Sequence, residues 1–242
     1  MVKTDRREIL SRVAAGTISP EEAAAQLDSI NATETEAETA IRKVRVVRQL
    51  GVVEIVGDPN VRGAVAEGPH EARIEGDVMV FEGPSNGDEP GSFFFGIGRS
   101  LANEKLLVRL NPSLALDLQL QAGSCRVSGV EGPIRADVQA GSATIEGFAK
   151  PFDLSVQAGS VKASGCCSEG ESRIACDAGS VTLHLERGSG MRVRARAHMG
   201  KVALPDAEVT GTHASHEVTI GDGGGSLVIN TNMGSVKVTA DQ

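Results

Sequence analysis

The chain has no tryptophan, no tyrosine and only six phenylalanines in 242 residues, against 29 glycines. A core without large rings must be built from Val, Ile, Leu and Ala packed across a narrow gap. The same absence argues against a sugar-processing enzyme, which needs grouped acids and usually rings that stack on the substrate. Lysine and arginine together number 24 against 32 aspartates and glutamates, a net charge of −8. So acidic a chain is a poor match for nucleic acid, whose binding depends on cations neutralising phosphates. The four cysteines, Cys125, Cys166, Cys167 and Cys176, are too few and too clustered for a disulfide framework, and the adjacent pair fits no zinc spacing. Reduced thiols and a cytoplasmic location are therefore expected, with no metal. No run approaches the ~18 apolar residues of a membrane span, and the opening "MVKTDRREIL" has no apolar signal-peptide core.

Three segments are distinguishable. Residues 1–31 read as a helical hairpin: Ile9, Leu10 and Val13 share one helical face, and Leu27 and Ile30 lie on the stripe of a second helix. Ser19, Pro20 and Glu22 make a capping box with proline at the first helical position. A hairpin this short cannot bury enough apolar surface alone, so oligomerisation or a protein partner is expected through those five apolar residues. Residues 32–42 are an acidic linker. From residue 43 to residue 242 the apolar period is two, the period of strands.

Within that third segment "LQAGSCRVSG", "VQAGSATIEG" and "VQAGSVKASG" follow one another at a fixed interval. Aligned on Gly123, Gly141, Gly159, Gly179, Gly200 and Gly234, the intervals are 18, 18, 20, 21 and 34 residues. Residues three and five before each glycine, and two and four after it, are mostly aliphatic or small. Those between are polar, including the column Gln121, Gln139, Gln157 and Asp177 and the column Arg126, Thr144, Lys162 and Thr182. Alternation in strands sends the two sets to opposite faces. The expected fold is a single-stranded, right-handed β-solenoid with coils of about 18–21 residues, preceded by the α-helical hairpin. The six glycines would be its stacked corners, and the 34-residue interval one coil plus a hairpin or long loop.

"VVEIVGD", "LLVRLNPSLALDLQLQAGSCRVSGV" and "GDGGGSLVINTNMGSVKV" carry a family resemblance. Over residues 43–242 the chain resembles the bacterial putative-adhesin family of β-strand-repeat proteins, a domain of unknown function. Residues 1–31 resemble SHOCT-like helical hairpins of envelope-associated proteins. The resemblance implies the solenoid fold, a bacterial setting linked to cell-envelope stress, and no catalytic motif.

Other motifs are weak. "GDGGGS" and "GIGRS" lack the full nucleotide-binding patterns. His213, His216 and Glu217 read as a surface loop without enough ligands for a metal, and His184, His198 and His70 as surface residues. Arg192, Arg194 and Arg196 form an outward basic stripe, read as a solvated face with docking to anionic lipid or an acidic partner as the functional variant. Phe93, Phe94 and Phe95 sit in a Gly-, Pro- and Ser-rich stretch and are expected to cap the solenoid or meet a partner. The expected function is that of a non-enzymatic scaffold or interaction protein, without cofactor or small-molecule substrate, cytoplasmic or peripheral at the envelope. A polymerising, bactofilin-like solenoid and a surface adhesin are the alternatives.

Overall fold

The computed structural model describes residue 23, residues 41–83 and residues 105–241. The chain divides into two compact units, Met1–Ile41 and Arg42–Gln242. The second carries twelve described strands: β1 (Lys43–Gly57), β2 (Ala64–Glu67), β3 (Glu71–Glu75), β4 (Val78–Glu82), β5 (Lys105–Leu110), β6 (Ala115–Ser128), β7 (Ile134–Phe148), β8 (Phe152–Gly165), β9 (Glu171–Leu185), β10 (Met191–Ala203), β11 (Glu208–Ile220) and β12 (Gly225–Ala240).

The long strands are bent at their central glycine. In β6 the buried apolar residues are Leu116, Leu118 and Leu120 before Gly123, but Cys125 and Val127 after it. The alternation slips by one at the glycine, so both arms turn their buried side chains to the same side. Strands β6, β7, β8 and β9 lie parallel, glycine on glycine and alanine on alanine. Each layer repeats the inward pattern, so the buried columns run from layer to layer; Leu154, Ile174 and Ile229 in one column are each at most 1 % exposed. Burying one such side chain contributes roughly 1.5–3 kcal/mol, which fixes the strand phase firmly. Phe148 and Phe152, with ring centroids 4.6 Å apart, fill the turn between β7 and β8.

Two parts of the expected fold class are corrected. No helix is present among the described elements. The α-helical hairpin expected over residues 1–31, with Ile9, Leu10, Val13, Leu27 and Ile30, lies outside the described residues except for Ala23, and one residue makes no helix. In addition, the twelve strands form one mixed sheet that does not close, and its layers do not follow chain order. β12 inserts between β9 and β10, with Gly234 in register with Gly179 on one side and Gly200 on the other. At the opposite end β1 lies between β6 and a layer made of two half-strands: β4 pairs with its first arm and β5 with its second. Outermost, β11 pairs antiparallel with β10, β3 with β4 and β2 with β5.

Chain geometry accounts for this. The turn after β10, closed by the Leu204 N–H to the Ala207 carbonyl at 2.9 Å, reverses the chain locally, so β11 pairs with β10 at once. The five residues between β9 and β10 can reach roughly 16 Å, more than the two strand spacings of about 9.6 Å that β12 requires. The returning β12 then satisfies both backbone edges left open.

Arg48 is a charged residue in the inward columns. It is 4 % exposed, three residues before Gly51, and its guanidinium donates to the carbonyls of Leu50 at 2.9 Å and Pro69 at 3.2 Å.

Candidate interaction face

The outward faces of the two arms are built on different patterns. On the first arm, the residues six before each glycine fall into one row: Arg45, Asp117, Arg135, Asp153, Arg173, then Val228 on the inserted strand, then Arg194, with Glu217, six after Gly211 on antiparallel β11, at its end. Charge alternates along the row, apart from the valine. Neighbours one strand spacing apart are opposite in sign, an arrangement that favours this register over a slipped one. Asp117 is the best held of these. Its carboxylate, only 8 % exposed, lies 2.8 Å from Lys43 Nζ and 3.2 Å from Arg45 Nε. Burial alone would raise its pKa; the Lys43 ammonium and Arg45 guanidinium override that and hold it below the usual carboxylate value. A groove of about 740 Å³ runs along the starts of these strands, past Arg135, Asp153 and Arg173.

Nearer the bend, the glutamines of the sequence column stand on adjacent layers. At the far end of that column Asn232 Nδ2 donates to Asp177 Oδ1 at 2.8 Å, and the rings of His198 and His213 meet edge to face with centroids 4.3 Å apart.

The second arm is different. On β6, β7, β8, β9 and β12 the residues one, three and five after the glycine face outward, making fifteen positions in three rows. The first row is Ser124, Ser142, Ser160, Ser180 and Ser235. The second is Arg126, Thr144, Lys162, Thr182 and Lys237. The third is Ser128, Glu146, Ser164, His184 and Thr239. None of the fifteen is buried and none is apolar. Ten of them carry hydroxyls, and in the middle row a threonine separates each cation from the next. Arg126, Lys162 and Lys237 have no ion-pair partner among the described residues. At both ends of the lattice charges are paired: Glu54 with Lys105 beside β1, and Lys201 with Glu208, at 2.8 Å, on β10 and β11.

The remaining candidate residues are placed as follows. Phe93, Phe94 and Phe95 lie outside the described residues. Gly123, Gly141, Gly159, Gly179, Gly234 and Gly200 form one continuous column in that spatial order. His213 and His216 stand on strand β11 rather than in a loop, because Glu208–Ile220 pairs with β10 throughout. His216 Nε2 is 3.1 Å from Asp206, and this contact lowers the aspartate pKa. Among the described residues no group of three His, Cys, Asp or Glu side chains is arranged for a metal ion. Arg192 and Arg194 both reach Glu217, at 3.9 and 2.7 Å, so the basic stripe is partly neutralised by its own neighbouring strand. His184 bonds Thr239 Oγ1 at 3.0 Å. The four cysteines are free thiols, and burial pushes the Cys125 thiol up to about 11.

The sequence holds Arg126, Thr144, Lys162 and Thr182 as one polar column, but the row of charge, the two outer rows of the lattice and the continuation of the middle row onto Lys237 escaped the sequence reading. Their signal was available in the columns six before and one, three and five after each glycine. Strands β1 and β12, however, join those rows out of chain order.

Fold and faces together define a bent, mixed β-sheet protein with regular polar outer surfaces. No family model matches the chain, and no curated protein matches it. Among solved structures it is similar to a protein of Clostridium sporogenes ATCC 15579 described as a putative cell adhesion protein. The two are 14 % identical, the match covers 84 % of this chain and 95 % of that one, and the TM-score is 0.47. No described helix is long and apolar enough to cross a membrane.

Proposed function

We propose that this chain is a non-enzymatic interaction protein whose contact surface is the hydroxyl-and-cation lattice on the second arm. One observation supports the reading above the others. The two arms share one backbone repeat, yet the first arm alternates cation with carboxylate while the second alternates cation with threonine. On the first arm the charges compensate one another. On the second, Lys162 and Lys237 have no carboxylate beside them in the row, and the Glu54 next to Arg126 is paired with Lys105, so the three cations keep their charge available to an external group, on a chain whose overall charge is −8. A rigid sheet holds these groups at constant spacing, so an extended partner meets the same pattern along the face. The stack ends also favour lateral contact over end-to-end growth. Their outermost strands β3 and β11 run antiparallel to the stack and carry exposed charges such as Glu71, Arg73, Glu75 and Glu217, a pattern that discourages addition of further strands.

The reading is tested by retention of the purified protein on a bacterial cell-envelope fraction. Wild type should be retained, Arg126→Gln with Lys162→Gln and Lys237→Gln should not, and Arg135→Gln on the other arm should behave as wild type. Equal retention of all three proteins would refute the assignment of this face.

A further inference from the structure

We propose that the ligand of the lattice is a linear acidic polysaccharide with a carboxylate on every second sugar. The proposal rests on the reading of this face as the contact surface, and goes on to name what it contacts.

Three features of the face select that chemistry. The first is spacing. Arg126 and Lys162 stand two layers apart in the middle row, and so do Lys162 and Lys237, which at one strand spacing per layer is about 9.6 Å for each pair. A sugar in an extended β-linked chain advances by about one strand spacing. A chain lying across the strands therefore brings every second sugar opposite a cation and the sugars between opposite Thr144 and Thr182.

The second feature is the surroundings of the cations. Hydroxyls occupy the entire first row and three of the five positions of the third. Each hydroxyl can donate and accept, as sugar hydroxyls do, so polar groups of the neutral sugars find partners on both sides of the charged row. No apolar side chain occurs at the fifteen positions, which leaves nothing for the apolar anchor that protein partners use.

The third feature is the limit on charge density. A polyanion charged at every unit would place half its charges opposite threonine. It would also add repulsion from Glu146 in the third row and from the net acidity of the chain. The alternating polymer avoids this. No phenylalanine, tyrosine or tryptophan ring is available for stacking on this face, and the His184 ring is bonded to Thr239, so recognition depends on charge and hydroxyls and should weaken as salt is raised.

The test titrates the full chain with size-matched polymers: hyaluronan, in which every second sugar is a uronate; polygalacturonate, in which every sugar is one; and dextran, which is neutral. Hyaluronan should bind, more tightly than polygalacturonate, and dextran should not bind. Arg126→Gln with Lys162→Gln and Lys237→Gln should lose about tenfold or more in hyaluronan affinity, with the β circular dichroism and melting unchanged. Thr144→Lys with Thr182→Lys fills the gaps in the row and should move the preference to polygalacturonate, a gain that mere misfolding cannot produce. Absence of hyaluronan binding, equal affinity for the two uronates in wild type, indifference of the triple variant, or preference for duplex DNA or anionic vesicles would each overturn the proposal. If envelope retention still depends on the three cations while hyaluronan does not bind, the ligand class falls and the contact face stands. If retention is also indifferent to them, both fall.

Discussion

Replacing Gly141 by alanine puts a methyl carbon 1.7 Å from the carbonyl oxygen of Gly123, 2.8 Å from its carbonyl carbon and 3.1 Å from its nitrogen. The obstacle is backbone of the neighbouring layer, which cannot rotate away as a side chain would. Gly141 also has φ of 137°, where a side chain is strained. Gly211 separates these two effects. It occupies the equivalent bend on the outermost strand β11, has φ of 143°, and an added methyl group there meets nothing within 4 Å. Gly211→Ala should therefore report strain alone, roughly 1–3 kcal/mol. Gly141→Ala adds the overlap. To reach ordinary contact the two layers must separate at the bend by more than 1 Å, breaking ladder hydrogen bonds worth about 1 kcal/mol each. The total should exceed about 4 kcal/mol, the range of exceptional single substitutions. Urea denaturation followed by far-UV circular dichroism, run on both variants, gives the comparison. Equal losses would show that close approach between layers is not what demands glycine.

Two further outcomes follow from individual contacts. Thr231 is 3 % exposed in an inward column, and its hydroxyl has no hydrogen-bond partner among the described residues; Thr231→Val should raise stability by about 1 kcal/mol, and a lowered melting temperature would contradict this. Asp117→Asn should cost about 1–2 kcal/mol at neutral pH through weakened charge-assisted bonds to Lys43 and Arg45. Because the folded-state pKa of Asp117 is depressed, its contribution is present above the unfolded value near 4 and fades as pH falls through the folded value. The gap between wild type and Asp117→Asn should thus close on acidification, and a constant gap down to about pH 3 would exclude the linkage.

The repeat in the sequence determined the strands, their inward columns and the register of one layer on the next, because a period-two pattern interrupted by glycine every 18 to 21 residues admits one phase for burying its aliphatic side. It determined the row of serines as well, since each follows a corner glycine. The helical elements expected over residues 1–31 rested on capping and periodicity alone and, apart from Ala23, lie outside the described residues. The order of the layers was decided by the tertiary structure. Every layer offers the same interface to the next, so β10 could sit on β9 with glycine on glycine as readily as β12 does. The local β10–β11 reversal and a connection long enough to span two spacings settle which of them does. That choice sets the face. In chain order the middle row would read Arg126, Thr144, Lys162, Thr182, Ala203; with β12 inserted it ends on Lys237, and the alternation of cation and threonine continues through a third charge. The placement of β1 against β6 likewise brings Arg45 to Asp117 across 72 residues of chain. A sequence of equivalent layers contains every member of these rows, and only the connections between strands determine which members become neighbours.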